Sequence, residues 1–262
     1  MRRIPPEPRD LVWGSTDTAP WFANPEGKRI AEVWFPVDRL LMKFLFTQQN
    51  LSVQVHPGDA YAALHHNGSP GKTEMWHILR AEPGAKIAVG LNREVSKEEL
   101  LSAASDGSIE QLLQWVPVAA GENYFIPAGT IHAIGAGIAL FEIQQRSEIT
   151  YRLYDWGRGR ELHLAHAQDV AALGPFDGRR DLPVECDYFR TEVAGDVVEG
   201  PSVLAVIGGA GRIGNETVRA GDVLESSGRV MPDGALKVLR IIATDTPLIE
   251  SIHAANPVPR NL

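Results

Sequence analysis

The chain has 262 residues, 44% of them hydrophobic and 22% charged, with a net charge of −8 at pH 7. That supplies apolar material for one large globular core or two modest ones, and the acidity argues against nucleic acid or an anionic membrane surface as a partner. The single cysteine, Cys186, excludes an intramolecular disulfide and a cysteine-based zinc cluster.

No apolar signal core follows the opening Met-Arg-Arg-Ile. No stretch approaches about 18 consecutive apolar residues, so a membrane span is not expected, and a reducing cytoplasm is the expected location. Glycines (25) and prolines (18) divide the rest into short apolar runs, the pattern of an all-β dominated protein. In chain order, strands are expected over 39–47, 52–56, 74–80 and 86–90. A helical insertion over 96–115 follows, because Ser96-Lys97-Glu98-Glu99 and Ser108-Ile109-Glu110-Gln111 both fit the capping box and precede paired leucines. Strands resume over 123–127, 138–145 and 150–154. Past Gly174 the composition shifts to Asp, Arg, Gly and Pro, and strand-like runs then return at 202–207, 223–225 and 236–243. The expected division is therefore a first domain over 1–174 and a smaller β domain over 175–262.

The sharpest local signal is Gly121-x5-Pro127-x-Gly129-x2-His132, which matches the second cupin motif up to its last position, where Ala136 replaces Asn. It describes a strand, a Pro/Gly turn and a histidine at the mouth of a small barrel. In Val53-Gln54-Val55-His56-Pro57, residues Gln54 and His56 share one strand face while the valines fill the other. In Lys72-Thr73-Glu74-Met75-Trp76-His77-Ile78, one face carries Lys72, Glu74, Trp76 and Ile78. A carboxylate on so apolar a face needs a partner. Zinc suits His and carboxylate ligands, and the amide oxygen of Gln54 is a chemically reasonable fourth. Taken singly, each of these residues has a plainer alternative as a barrel-mouth polar group held by hydrogen bonds.

The strings Gln54-Val55-His56-Pro57 and Gly71-Lys72-Thr73-Glu74-Met75-Trp76 are carried in order with Trp13-Gly14, Ala31-Glu32-Val33-Trp34, Ile126-Pro127-Ala128-Gly129-Thr130-Ile131-His132, Glu142-Ile143-Gln144-Gln145-Arg146-Ser147 and Thr150-Tyr151-Arg152-Leu153-Tyr154-Asp155-Trp156-Gly157-Arg158. Over roughly its first 165 residues the chain thereby resembles the type I mannose-6-phosphate isomerases, particularly their short bacterial branch. The resemblance implies a cupin (jelly-roll) barrel followed by a second, smaller, degenerate cupin-like domain. It also implies one zinc ion per chain and a sugar phosphate as the small-molecule partner, with mannose 6-phosphate and fructose 6-phosphate interconverted. Carried over, the metal ligands fall on Gln54, His56, Glu74 and His132. The essential arginine falls on Arg152, the active-site lysine on Lys72, and a basic phosphate-holding position on Arg158.

Two departures stand out. Ser147-Glu148 replaces the family's usual Ser-Asp, lengthening a candidate proton-handling carboxylate by one methylene, and the C-terminal part is short. An aldose–ketose interconversion needs an electrophile for the oxygens, a base for the carbon acid and an anchor for phosphate. Zinc and Arg152 suit the first, whereas Glu148, Lys72 and a metal-bound water all remain open as the base. Two rival readings compete with an isomerase. A cupin oxygenase favours several histidine ligands, but His65, His66, His77, His163, His166 and His253 show no ligand spacing and read as loop or surface residues. A non-catalytic sugar-binding cupin should have lost a ligand, and none is lost.

Overall fold

The computed structural model describes residues 1–244. Its strands form three antiparallel sheets. The first runs, in spatial order, Arg179–Arg180, Asn123–Ile126, Glu74–Ala81, Ile138–Gln145, Leu40–Thr47, Glu32–Pro36 and Glu7–Arg9. The second runs Tyr151–Tyr154, Val53–Val55, His132–Ile134, Lys86–Leu91 and Leu113–Pro117. These two face one another across a core that includes Trp13, Trp76, Ile78, Ile87 and Leu140, making the jelly-roll barrel expected of the sequence.

The outer faces are covered too. Val53, Val55 and Leu153 of the second sheet pack with residues of the helices Lys97–Asp106 and Leu164–Val170. On the far side, Phe44, Met75 and Phe141 of the first sheet share a core with Phe189, Val203 and Leu239 of the third. That third sheet runs Arg2–Arg3, Val223–Ser226, Ser202–Ile213, Pro232–Ala243, Phe189–Val193 and Val184–Glu185, with Glu216–Arg219 attached to Ser202–Ile213. Strands buried on both faces read as continuous apolar runs rather than alternating ones. Leu40–Thr47 and Ile138–Gln145, in which every residue is buried, show why those runs were visible in the sequence.

The helical insertion differs in detail. Ser96 caps Lys97–Asp106 as expected, its Oγ accepting the Glu99 N–H at 3.1 Å. Ser108 does not cap: it is already helical, and its N–H donates to Asp106 Oδ1 at 2.8 Å. The second helix is therefore only Ile109–Leu112, and 113–117 joins the sheet beside Lys86–Leu91, with Lys86 Nζ 4.6 Å from the Trp115 ring centre. Helices Asp59–His65 and Leu164–Val170 were not anticipated. Residues 245–262 of the expected C-terminal unit, His253 among them, lie outside the described residues.

Candidate active site

Strand register brings the predicted ligands together. His132 and Arg152 both stand opposite Gln54, one on each neighbouring strand of the second sheet, so all three share a face. Glu74 opens its strand in the facing sheet, opposite Ile126 and Gln144. Two glycines make the approach possible. Gly129 adopts φ 89°, a conformation that favours glycine, and its N–H donates to the His56 carbonyl at 2.8 Å, setting the turn before His132. At Gly71 a Cβ would come within 2.6 Å of the Asp59 nitrogen and the Gly58 carbonyl carbon. That close pass docks Lys72 N–H on the Pro57 carbonyl at 2.9 Å, next to His56.

Candidate ligand atoms of His56, Glu74 and His132 all lie within 4.8 Å of one another, and the three residues are buried. His56 Nδ1 donates to the Ile149 carbonyl at 2.9 Å and His132 Nδ1 to the Thr130 carbonyl at 2.8 Å. Each ring is thereby held in the tautomer whose Nε2 carries the lone pair, the form a metal ligand requires. Those nitrogens sit 3.7 and 3.5 Å from the Glu74 oxygens. Burial first, then the charge of Lys72, lowers both imidazoles, His56 well below its ordinary value and His132 to about 4, so both rings are neutral as ligands require. Burial, then Glu142, pushes the Glu74 carboxyl up, with Lys72 opposing.

Lys72 Nζ lies 2.7 Å from Glu74 Oε2 and donates to His56 Nε2 at 2.9 Å. The other carboxylate oxygen, Glu74 Oε1, is buried with no hydrogen-bond partner, an arrangement that is costly unless a cation satisfies it. The Gln54 amide nitrogen donates to His132 Nε2 at 3.2 Å; turning that amide over presents its oxygen to the same point. The donor set of two neutral imidazoles, one carboxylate and one amide fits a divalent zinc-like ion.

Of the other predicted residues, Arg152 is tied to this group by its register opposite Gln54. Arg152 is half-buried, and its Nη1 donates to the Glu161 carbonyl at 2.6 Å. Glu148 is exposed and lines a cleft of about 700 Å³ with Trp34, Arg146, Thr150 and His163, whose lining includes none of Gln54, His56, Lys72, Glu74, His132 or Arg152. Arg158 donates to Asp155 Oδ1 from Nε at 3.2 Å and Nη2 at 2.8 Å. Arg160 Nε donates to Asp155 Oδ2 at 2.8 Å.

Two groups went unread in the sequence. Lys43 is buried 3.0 Å from Glu142 and 3.8 Å from Glu32, and Trp76 Nε1 donates to Glu142 at 3.0 Å. Lys43, Glu142 and Trp76 form one cross-strand row, on the barrel's inner face beside Glu74. The signal was there, since a lone charge inside each of two apolar runs marks a buried pair. Among the remaining described histidines the loop-or-surface reading holds for exposed His65 and for His66 and His163, which lie outside helices and strands, and fails for His77, in a strand, and His166, in a helix. His77 is buried and bonds Asn123 Oδ1 at 2.8 Å. His66 Nε2 bonds the Tyr151 hydroxyl at 2.7 Å, His166 stacks on Tyr151 at 4.9 Å, and His163 bonds Arg152.

No family model matches the chain. Among curated proteins it is 40% identical over 186 residues to the mannose-6-phosphate isomerase ManA of Bacillus subtilis (strain 168), a match covering 64% of this chain and 56% of that protein. The chain thus spans little more than half the length of that relative. To the probable mannose-6-phosphate isomerase GmuF of the same organism it is 33% identical over 243 residues, covering 86% of this chain and 70% of that protein. The crystal structure of a mannose 6-phosphate isomerase from Bacillus subtilis superposes with a TM-score of 0.80 at 24% identity, covering 92% of this chain and 99% of that one. A zinc-bound mannose 6-phosphate isomerase superposes with a TM-score of 0.70 at 14% identity, covering 93% and 99%. At these identities the two structures establish likeness of fold.

Proposed function

The chain belongs to the mannose-6-phosphate isomerase family, and from that premise we propose that it interconverts mannose 6-phosphate and fructose 6-phosphate through an enediol. The observation that carries this reading is the buried His56–Glu74–His132 group with its unpartnered carboxylate oxygen beside Lys72. One zinc ion held by these three residues and Gln54 would supply Lewis acidity toward the sugar's carbonyl and hydroxyl oxygens.

The chain's own residues supply the rest. Lys72 places an ammonium at the edge of the ligand group, within reach of a sugar oxygen bound there. Arg152, opposite Gln54, offers fixed donors to the negative charge that develops on the enediolate oxygens. Glu148, which lines the cleft, carries the proton between C1 and C2. Arg158 and Arg160 share the single carboxylate of Asp155. That trio keeps one net positive charge beside Arg152 to hold the phosphate, with Arg158 as its anchor. We assign these roles to the 1–174 domain, leave the described residues of 175–262 as its cupin-like support, and place the reaction in the cytoplasm, in keeping with the lone unpaired Cys186.

A coupled assay with mannose 6-phosphate, before and after chelation and zinc restoration, tests the reading. Expected are about one zinc per chain, turnover lost with the metal and regained with it, and reduced zinc content in His56→Ala. A zinc-loaded protein that leaves mannose 6-phosphate unchanged sinks the assignment.

A further inference from the structure

Arg152 stands on Tyr151–Tyr154, an edge strand of four residues. One flank pairs with Val53–Val55, with an irregularity in register directly after Arg152. So short and irregular an edge fixes the direction of a long side chain poorly, and the outward-facing backbone groups of Arg152 need partners. Both come from a single residue. Arg152 N–H donates to His163 Nδ1 at 3.1 Å, and His163 N–H donates to the Arg152 carbonyl at 2.8 Å. The histidine thus replaces a missing strand neighbour, its ring serving as acceptor and its backbone as donor. Two residues earlier, the Glu161 carbonyl accepts Arg152 Nη1 at 2.6 Å.

The connecting loop is stiffened at several points. Asp155 is 3% exposed and takes both Arg158 and Arg160. Trp156 sits at φ 54°, and its Nε1 donates to the Leu51 carbonyl at 2.5 Å. Burial, then the charge of Arg152, lowers the His163 pKa, in keeping with a neutral ring that can accept at Nδ1.

We propose that His163 is a positioning residue for Arg152: by occupying both outward backbone groups of an edge residue, it fixes where the guanidinium meets the bound sugar. The part Arg152 plays in turnover rests on the isomerase reading; the brace itself rests on the hydrogen bonds alone.

Two substitutions separate positioning from bulk. His163→Phe keeps a ring and removes the acceptor, whereas His163→Asn keeps an acceptor oxygen close to where Nδ1 lies. In zinc-loaded enzyme, His163→Phe is expected to lower kcat for mannose 6-phosphate by about ten- to a hundredfold, the scale of a small misplacement of a reacting group. KM should stay within about twofold, and hydrogen exchange at the Arg152 amide should quicken. His163→Asn should restore most of kcat and slow that exchange again. The proposal is overturned if His163→Phe keeps kcat within about twofold of wild type, if Arg152 exchange is unchanged, or if the two variants lose activity equally. Should His163→Phe fail to fold, His163→Asn with wild-type exchange and most of wild-type kcat supports the brace, and the loss of either overturns it. A wild-type protein inert toward mannose 6-phosphate would defeat the isomerase reading instead, while the exchange comparison would still judge the brace.

Discussion

Glu148 and Glu142 are six positions apart and have opposite environments, which sets what each can do. Glu148 is exposed and lines a cleft. On the proposed isomerase reading, Glu148→Gln should lower kcat for mannose 6-phosphate by at least about a hundredfold, within the range for general acid–base groups, and leave KM nearly unchanged; near-normal turnover would pass the base role to Lys72 or a metal-bound water. Glu142 is buried against Lys43 and Trp76. Burial alone would raise its carboxyl, but Lys43, then Lys72, outweighs burial and holds it well below the usual carboxylate range, to about 2. A carboxyl depressed by folding contributes stability above its ordinary pKa and loses it as pH falls through the folded value. Lys43→Met removes the partner and leaves a buried charge, at a cost of about 3–5 kcal/mol near neutrality. In that variant the folded Glu142 takes up its proton far more readily, so the deficit should shrink at pH 4. Urea unfolding of both proteins at pH 7 and pH 4 measures it; a deficit independent of pH would assign the cost to lost packing.

Elements were legible in proportion to how far their own residues determine them. Ile138–Gln145 has the bounds expected of it, and Leu40–Thr47 differs by one residue, because burial on both faces writes an unbroken apolar run. Gln54 with His56, and Glu74 with Lys72, could be grouped in advance because side-chain parity within a strand is local information, and His132 by its turn motif. That they meet was carried by motif resemblance; in the structure register sets His132 opposite Gln54, and the facing sheet brings Glu74 to His56 and His132. What the sequence left dark depends on distant partners. His132–Ile134, which no expected strand covers, has only three residues, so sheet pairing rather than propensity sets where it begins and ends; Val53–Val55 falls inside the strand expected over 52–56. Leu113–Pro117 was hidden behind a capping signal, and only its pairing with Lys86–Leu91 makes it a strand. His163 looked like one more loop histidine, since nothing in its neighbours announces that Arg152, eleven residues earlier, turns its backbone toward it.

The molecule as a whole is joined through the outer face of its first sheet. Phe44, Met75 and Phe141 come from the strands that support the ligand group, and they share one core with Phe189, Val203, Leu239 and Ile241. The chain's own start reinforces the joint, since Arg2–Arg3 pairs with Val223–Ser226, and Trp21 Nε1 donates to the Ile207 carbonyl at 2.8 Å. A core with walls from both ends of the sequence cannot be lost from one side only, so unfolding should be a single cooperative event despite the chain's two-part appearance. Phe189 is fully buried in that core, and Phe189→Ala should cost about 3–5 kcal/mol, as large-to-small changes in packed cores do. The sequence provides a probe: all six tryptophans precede Val184 and, of them, Trp21 alone belongs to the shared core, so in a Trp21→Phe background the remaining fluorescence follows the barrel while far-UV circular dichroism follows every strand. In Phe189→Ala both signals should shift to lower urea together, with coincident midpoints. If the tryptophan transition instead stays at the Trp21→Phe midpoint while the circular dichroism splits in two, the C-terminal sheet folds independently, and the shared core does not couple it to the site.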